Sequence, residues 1–155
     1  MGEIRVQVRL TNALDEALSR RGQLTADRIR VYDADALVDT RAIRSVIPAQ
    51  VMESLGLQTR GQRVAPYADG REENVGVTEP VVFRLLGRDT LEEALVLGDE
   101  VLIGQTVLEK LDLLADCAGR RVISNPAHPD QPVSKVKALA AVGVRLGTST
   151  STDNR

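Results

Sequence analysis

The chain has 155 residues, 27% of them charged, and a formal net charge of −2. That is the length of one domain with an ordinary globular composition, and it carries no overall basic field to draw nucleic acid or an acidic membrane surface. Aromatic residues are 2% of the chain (Tyr32, Tyr67 and Phe83), so the core must come from Val, Leu, Ile and Ala, and base stacking is excluded as the central activity.

The opening 4-IRVQVRL-10 alternates apolar and polar residues and predicts a half-buried strand. The next stretch, 11–23, reads as a loop or as one or two helical turns ending at Gly22. Residues 28–40 read as a strand, a turn around Asp33 and a second strand. In that second strand, consecutive Ala36, Leu37 and Val38 suit burial on both faces. After a polar elbow, 43-IRSVI-47 predicts another strand. Pro48 then stands at the first position of a short helix with Val51, Met52 and Leu55 on one face and Gly56 as its stop.

Segment 62–87 has extended ends around Asp69-Gly70, a hairpin signal. Two apolar runs follow in 94-ALVLGDEVLIG-104, broken at Gly98-Asp99. A helix is predicted from 105, with Val107, Leu108, Leu111 and Leu114 on one face. A last hairpin follows, turning at Ala118-Gly119. Residues 133–147 are ambiguous between helix and a short strand at 142–146, and 148–155 read as a disordered polar tail. Many short strands and two short helices make this a mainly β chain. One pattern occurs twice: an apolar strand, an elbow, then a short helix, first at 36-ALVDT-40 and again at 100-EVLIG-104.

Cys117 is the single cysteine, which excludes an intrachain disulfide and a thiolate metal cluster. It reads as a buried or half-buried thiol in a reducing compartment. His128, the single histidine, lies in the proline-rich 124-SNPAHPDQP-132 and reads as an incidental loop residue. The start MGEIRVQVRL lacks an apolar signal core, and no run approaches the roughly 18 apolar residues of a membrane span. A cytoplasmic protein without membrane contact is expected.

The segment 36-ALVDTRAIRSVIPAQVMESLGL-57 resembles the active-site segment of retropepsin-like aspartic proteases, the single-domain bacterial relatives of retroviral proteases. The likeness continues in 101-VLIGQTVLEKLDLLADCAGRRVISNP-126, similar to the family's hydrophobic-hydrophobic-Gly segment, short helix and last hairpin. Residues 63–77 stand where the family carries its flap. The resemblance implies a closed, barrel-like β domain over 1–126 with one or two short helices. It leaves 127–147 as an extension in which a dimer strand could lie.

It also implies a peptide-cleaving homodimer with no cofactor and no metal. Two Asp39 carboxylates, one from each copy, would share a proton and activate water, since like charges a few ångströms apart cannot both ionise. Thr40 would be buried and would link the two elbows, with Arg41 and Ala42 completing the motif. Leu102, Ile103 and Gly104 would brace the elbow from behind. The hairpin tip Tyr67, Ala68, Asp69 and Gly70 would close over substrate.

The family motif is Asp-Thr/Ser-Gly, and Arg41 stands where its glycine belongs. Glycine lets the backbone approach closely and tolerates angles that a Cβ disfavours. A guanidinium beside the dyad would favour the doubly charged form and remove the proton the chemistry needs. A catalytically inactive dimer that keeps its peptide groove is therefore the alternative function.

Weaker motifs remain. Asp33-x-Asp35 resembles the nucleophile pair of haloacid-dehalogenase-type phosphatases, but no parallel βαβ run follows it, and a solvated turn is the expectation. A calcium loop is not supported, because neither its glycine nor its closing glutamate is present. The charges of 71-REENVGVTE-79 and of 20-RRG-22 are expected on solvated faces. Tyr67 is expected to pack on its own hairpin.

Overall fold

The computed structural model describes residues 2–135. The first strand, β1 (Ile4–Asn12), follows the alternation of its sequence: Val8 and Leu10 are buried while Arg5, Gln7 and Arg9 face solvent. It pairs antiparallel with β2 (Val31–Val38) from Ile4↔Val38 to Thr11↔Val31.

The β2 strand runs unbroken through Asp33, where a turn was expected. Asp33 and Asp35 are spaced by two and share the solvent face. There the Arg9 guanidinium grips Asp33 at 2.8 and 2.9 Å, and Gln7 donates to Asp35. The acidic pair is thus part of a cross-strand charge ladder, and the solvated-turn expectation is corrected to a solvated strand.

The stretch left open at 11–23 forms α1 (Ala13–Arg20). Asn12 caps it: its Oδ1 accepts the Asp15 backbone N–H at 3.0 Å, and its Nδ2 donates to the Leu55 carbonyl at 2.7 Å. Asp15, 4% exposed, accepts two guanidinium bonds and the backbone N–H of Arg30. The guanidinium bonds hold its carboxyl below the usual range against the opposing effect of burial.

Strand β3 covers only Val46–Ile47 of the predicted 43–47. Helix α2 (Ala49–Ser54) starts one residue later than expected, with Pro48 as its cap, and Gly56 takes the left-handed conformation past its end (φ 65°). The hairpin of β4 (Thr59–Pro66) and β5 (Glu72–Thr78) turns through 67–71 as its Asp-Gly predicted.

A second hairpin, β6 (Val81–Leu85) with β7 (Arg88–Glu92), was not legible as such in the sequence. Its turn puts Leu86 and Gly87 both at positive φ, an arrangement whose usual first residue is Asn, Asp or Gly. The two apolar runs 94–104 become β8 (Leu95–Val96) and β9 (Leu102–Ile103).

Helix α3 (Gln105–Leu111) stops at Asp112, which is left-handed (φ 56°). Leu114 therefore lies outside the helix face predicted for it. It sits instead on β10 (Leu113–Asp116), 44% exposed, paired with β11 (Arg121–Ser124). Cys117 is exposed beyond the end of β10, not buried or half-buried as expected.

Among the described residues, nine strands form one curled sheet in the order β4-β5-β8-β3-β9-β2-β1-β6-β7, and β10-β11 form a separate two-stranded sheet whose Leu113 and Val122 join the same core. The predicted mainly β class holds. The core gathers Leu10, Ile47, Leu55, Phe83, Ile103, Leu108 and Leu111, each at most 1% exposed, between the sheet and the helices.

The segment after β11 is bonded to this body. Buried Arg88 donates to the carbonyls of Leu111, Asp112 and His128. The Asp112 carboxylate accepts from Asn125 Nδ2 and the Val133 N–H and pairs with His128 Nδ1 at 2.6 Å. His128 is thereby a structural pin, in contrast to the incidental loop residue that its sequence predicts.

The strand considered at 142–146 and the tail 148–155 lie outside the described residues. Among the described residues, no helix is long and apolar enough to cross a membrane, and no group of three or more His, Cys, Asp and Glu could hold a metal ion.

Candidate active site

The end of β2 places Asp39. Its apolar run is held by parallel pairing to β9, Leu37↔Leu102 and Val38↔Ile103. The ladder continues past the strands: the Leu37 N–H donates to the Val101 carbonyl (3.0 Å) and the Asp39 N–H to the Ile103 carbonyl (3.1 Å). One step further along the same register, Asp39 lies abreast of Gly104. The two copies of the strand-elbow-helix pattern are thus neighbours in space.

The chain then turns. The Ala42 N–H donates back to the Asp39 carbonyl at 3.1 Å, and the Arg41 N–H donates to Asp39 Oδ1 at 2.9 Å. A charge-assisted bond of this kind fixes the carboxylate over its own loop. The first turn of α3 clamps the loop from beneath. Gln105 N–H donates to the Ala42 carbonyl (2.8 Å), and the Thr106 N–H and hydroxyl both donate to the Ile43 carbonyl. Ser45 is fully buried, and its hydroxyl accepts the Gly104 N–H at 2.9 Å.

Gly104 is required sterically. A Cβ there would stand 2.6 Å from the Arg44 carbonyl carbon and oxygen, closer than any such contact can be. Leu102, Ile103 and Gly104 thus lie directly against the elbow, where Ser45, Thr106 and Gln105 add polar bonds. These three had no signal in the sequence, because a buried serine or a helix-initiating threonine looks like any other until the elements meet.

The Asp39 side chain is 27% exposed and opens on a cleft of about 440 Å3. One wall is Leu37, Val38 and the elbow residues Thr40 and Arg41, and the other is Gly2, Glu3 and Ile4 at the start of β1. Thr40, expected to be buried, is exposed in the single chain. Ile43, just beyond the motif, is 70% exposed, a large apolar side chain left bare beside the carboxylate loop.

Arg41 resolves into two parts. Its backbone is ordinary: the non-glycine residues at positive φ among those described are Leu86, Asp112 and Arg120, so no glycine-only conformation is imposed at 41. Its side chain is 91% exposed, and its Nε approaches Asp39 Oδ1 at 3.3 Å.

The hairpin tip is tied to itself. The Tyr67 hydroxyl bonds to Glu73, and the Arg71 guanidinium lies 4.8 Å from the Tyr67 ring centre. The Glu73 bond raises the Tyr67 phenol above its usual value, and the Arg71 charge works against that rise. The Arg71 backbone N–H, and then its guanidinium, hold Asp69 below the usual carboxylate range. Gly70 is left-handed (φ 90°) and Ala68 is exposed. Tyr67 packs on its own hairpin, as expected. The structure brings Asp39, Arg41, Ala42 and 102–104 together. The tip 67–70 shares no hydrogen bond or ion pair with them among the described residues.

No protein-family model matches the sequence, and no curated protein does. Solved structures do. The retroviral protease-like domain of Ddi1 from Leishmania major superposes with a TM-score of 0.50 at 16% identity, over 81% of this chain and 90% of that one. The Simian Foamy Virus (mac) protease matches with a TM-score of 0.43 at 15% identity, over 67% and 90%. With its curled sheet, its paired elbows and its short helices, the chain has the retropepsin-like fold.

Proposed function

We propose that the chain is an aspartic endopeptidase that works as a homodimer, with Asp39 supplied once by each copy. The observation that carries this reading is the elbow itself. A carboxylate stands just past the apolar end of β2, receives a backbone N–H two residues on, and is clamped by a second strand-helix elbow. Each chain contributes one such carboxylate, and a shared-proton dyad needs two, which a two-fold axis provides. Thr40 and Ile43, exposed in the single chain, are then the elbow's contacts to the partner or to the peptide. One carboxylate of the pair takes a proton from the attacking water, and the protonated one polarises the scissile carbonyl.

The ordinary backbone at Arg41 favours this reading, since the N–H that the motif glycine would supply is present without strain. The test is cleavage of an unfolded protein across about pH 4 to 7, a span whose acid end still leaves one proton on a paired dyad, compared with Asp39→Asn. Equal cleavage by both proteins would show that Asp39 is not the catalyst. A monomer at micromolar concentration, with and without peptide, would equally remove the two-carboxylate mechanism.

A second reading rests on one contact, the 3.3 Å approach of the Arg41 Nε to Asp39. In it, the dimer keeps its groove and binds peptide without cutting it. Arg41→Gly decides between the two. Cleavage gained on that substitution supports the inactive form, and cleavage by the unaltered protein rules it out.

A further inference from the structure

Arg41 has more donors than its surroundings use. Among the described residues only the Nε of its side chain meets a partner, at a long 3.3 Å, and the side chain is 91% exposed at the mouth of the Asp39 cleft. Both terminal nitrogens are without a hydrogen-bond partner among the described residues. The neighbouring cations differ. Arg44 is only 27% exposed and is spent on the backbone and carboxylate of Glu93, and Arg5 is shared between Glu3, Asp35 and Glu100. Arg41 thus presents an uncommitted planar fork where the sequence resemblance would put a hydrogen atom.

We propose that Arg41 is a specificity residue that reads a carboxylate on the bound peptide. The reading rests on the peptide groove proposed above, though not on its catalysis. A guanidinium with two free terminal nitrogens suits a carboxylate in a bidentate pair, which gives direction as well as attraction. The contact is short-range in sequence. Arg41 is two positions from Asp39, and an extended peptide advances about 3.3 Å per residue, so the carboxylate belongs within about two residues of the bond lying over Asp39. The two-fold axis doubles the device. One Arg41 lies on each side of the paired Asp39 residues, so an acidic residue is recognised on either side of that bond.

Binding is measured first, on Asp39→Asn, which keeps the groove and cannot cleave. The probes are two labelled unstructured peptides, identical except that one carries Glu and the other Gln at the positions flanking the central bond. The Glu peptide should bind about tenfold more tightly, the range of a hydrogen-bonded charge pair. Added Arg41→Gln should bring the two peptides level, and Arg41→Lys should restore only part of the difference. Equal binding of both peptides to Asp39→Asn, or no binding of either, overturns the proposal. So does a preference that survives Arg41→Gln.

The cleavage assay separates this from the proposed function. If the unaltered protein cleaves, the Glu preference should appear in KM and vanish in Arg41→Gln. If it cleaves no peptide while Asp39→Asn still selects Glu through Arg41, the endopeptidase reading fails and the recognition stands.

Discussion

The two elbows of this protein start from the same local plan and end with opposite tasks. At Asp39 and at Gly104 an apolar run closes a strand and a helix lies further on, after the short β3 in the first case and at the next residue in the second. The strands lie side by side in parallel register, Val38 against Ile103. The first elbow keeps its side chain, 27% exposed over a cleft. The second has none, and a single added carbon would meet the Arg44 backbone at 2.6 Å. One copy of the pattern presents a carboxylate, and the other has no side chain where it meets the loop of the first. A carboxylate loop of this kind is kept in place by a neighbouring backbone packed without clearance, more than by its own sequence.

The largest expected break of this comparison is on the exposed side. Asp39→Asn should lower cleavage by about a hundred- to ten-thousand-fold, the usual weight of a positioned acid or base. Its unfolding midpoint in urea should stay close to that of the parent, because Asn can still accept the Arg41 N–H. On the bracing side, the balance inverts. Gly104→Ala should cost about 1–3 kcal/mol in urea unfolding through overpacking, and should lower activity by moving residues 39–44. A third substitution tests the bond between the elbows. Ser45→Ala leaves the buried Gly104 N–H without its acceptor and should cost about 1–2 kcal/mol, the penalty of an unsatisfied buried donor. If it is silent, the clamp rests on the close packing at Gly104 and on the Gln105 and Thr106 bonds, without help from Ser45.

Much of the first elbow was legible in the chain, and little of the second's purpose was. ALVDT announces a buried strand ending in a carboxylate because the apolar run and the polar stop are both local. The direction of Arg41 was not legible, since a long side chain chooses its course by what surrounds it. Asp33 misled for a related reason. Aspartate is a good turn former, but here Arg9 across the ladder makes it a good strand residue. The β6–β7 hairpin hid behind a leucine at a position that usually calls for Asn, Asp or Gly. Ser45 shows its worth only when residues 59 positions apart come together.

A smaller effect sharpens the contrast between a presented carboxylate and a structural one. Asp15 is buried, and the Arg30 guanidinium holds its carboxyl below the ordinary value near 3.8. Its contribution to stability is complete above that value and is lost as the pH falls through the lower folded value. Urea midpoints should therefore drop as the pH is lowered below about 4, and Asp15→Asn should flatten part of that fall. An unchanged acid slope in Asp15→Asn would assign the sensitivity to other carboxylates.

Among the described residues, the strand β4 stands at the rim of the sheet with a neighbour on one side only, and nearly all of its residues are exposed. A free rim is an invitation to uncontrolled association, and this one carries its own deterrents. Arg63 gives two meeting rims like charges, Arg60 adds a charge partly balanced by Glu93 at 3.6 Å, and Pro66 removes a donor at the end. Solubility of the protein should thus be set at this rim. It should fall in high salt, where the charges are screened, and fall further when both arginines are replaced by glutamine.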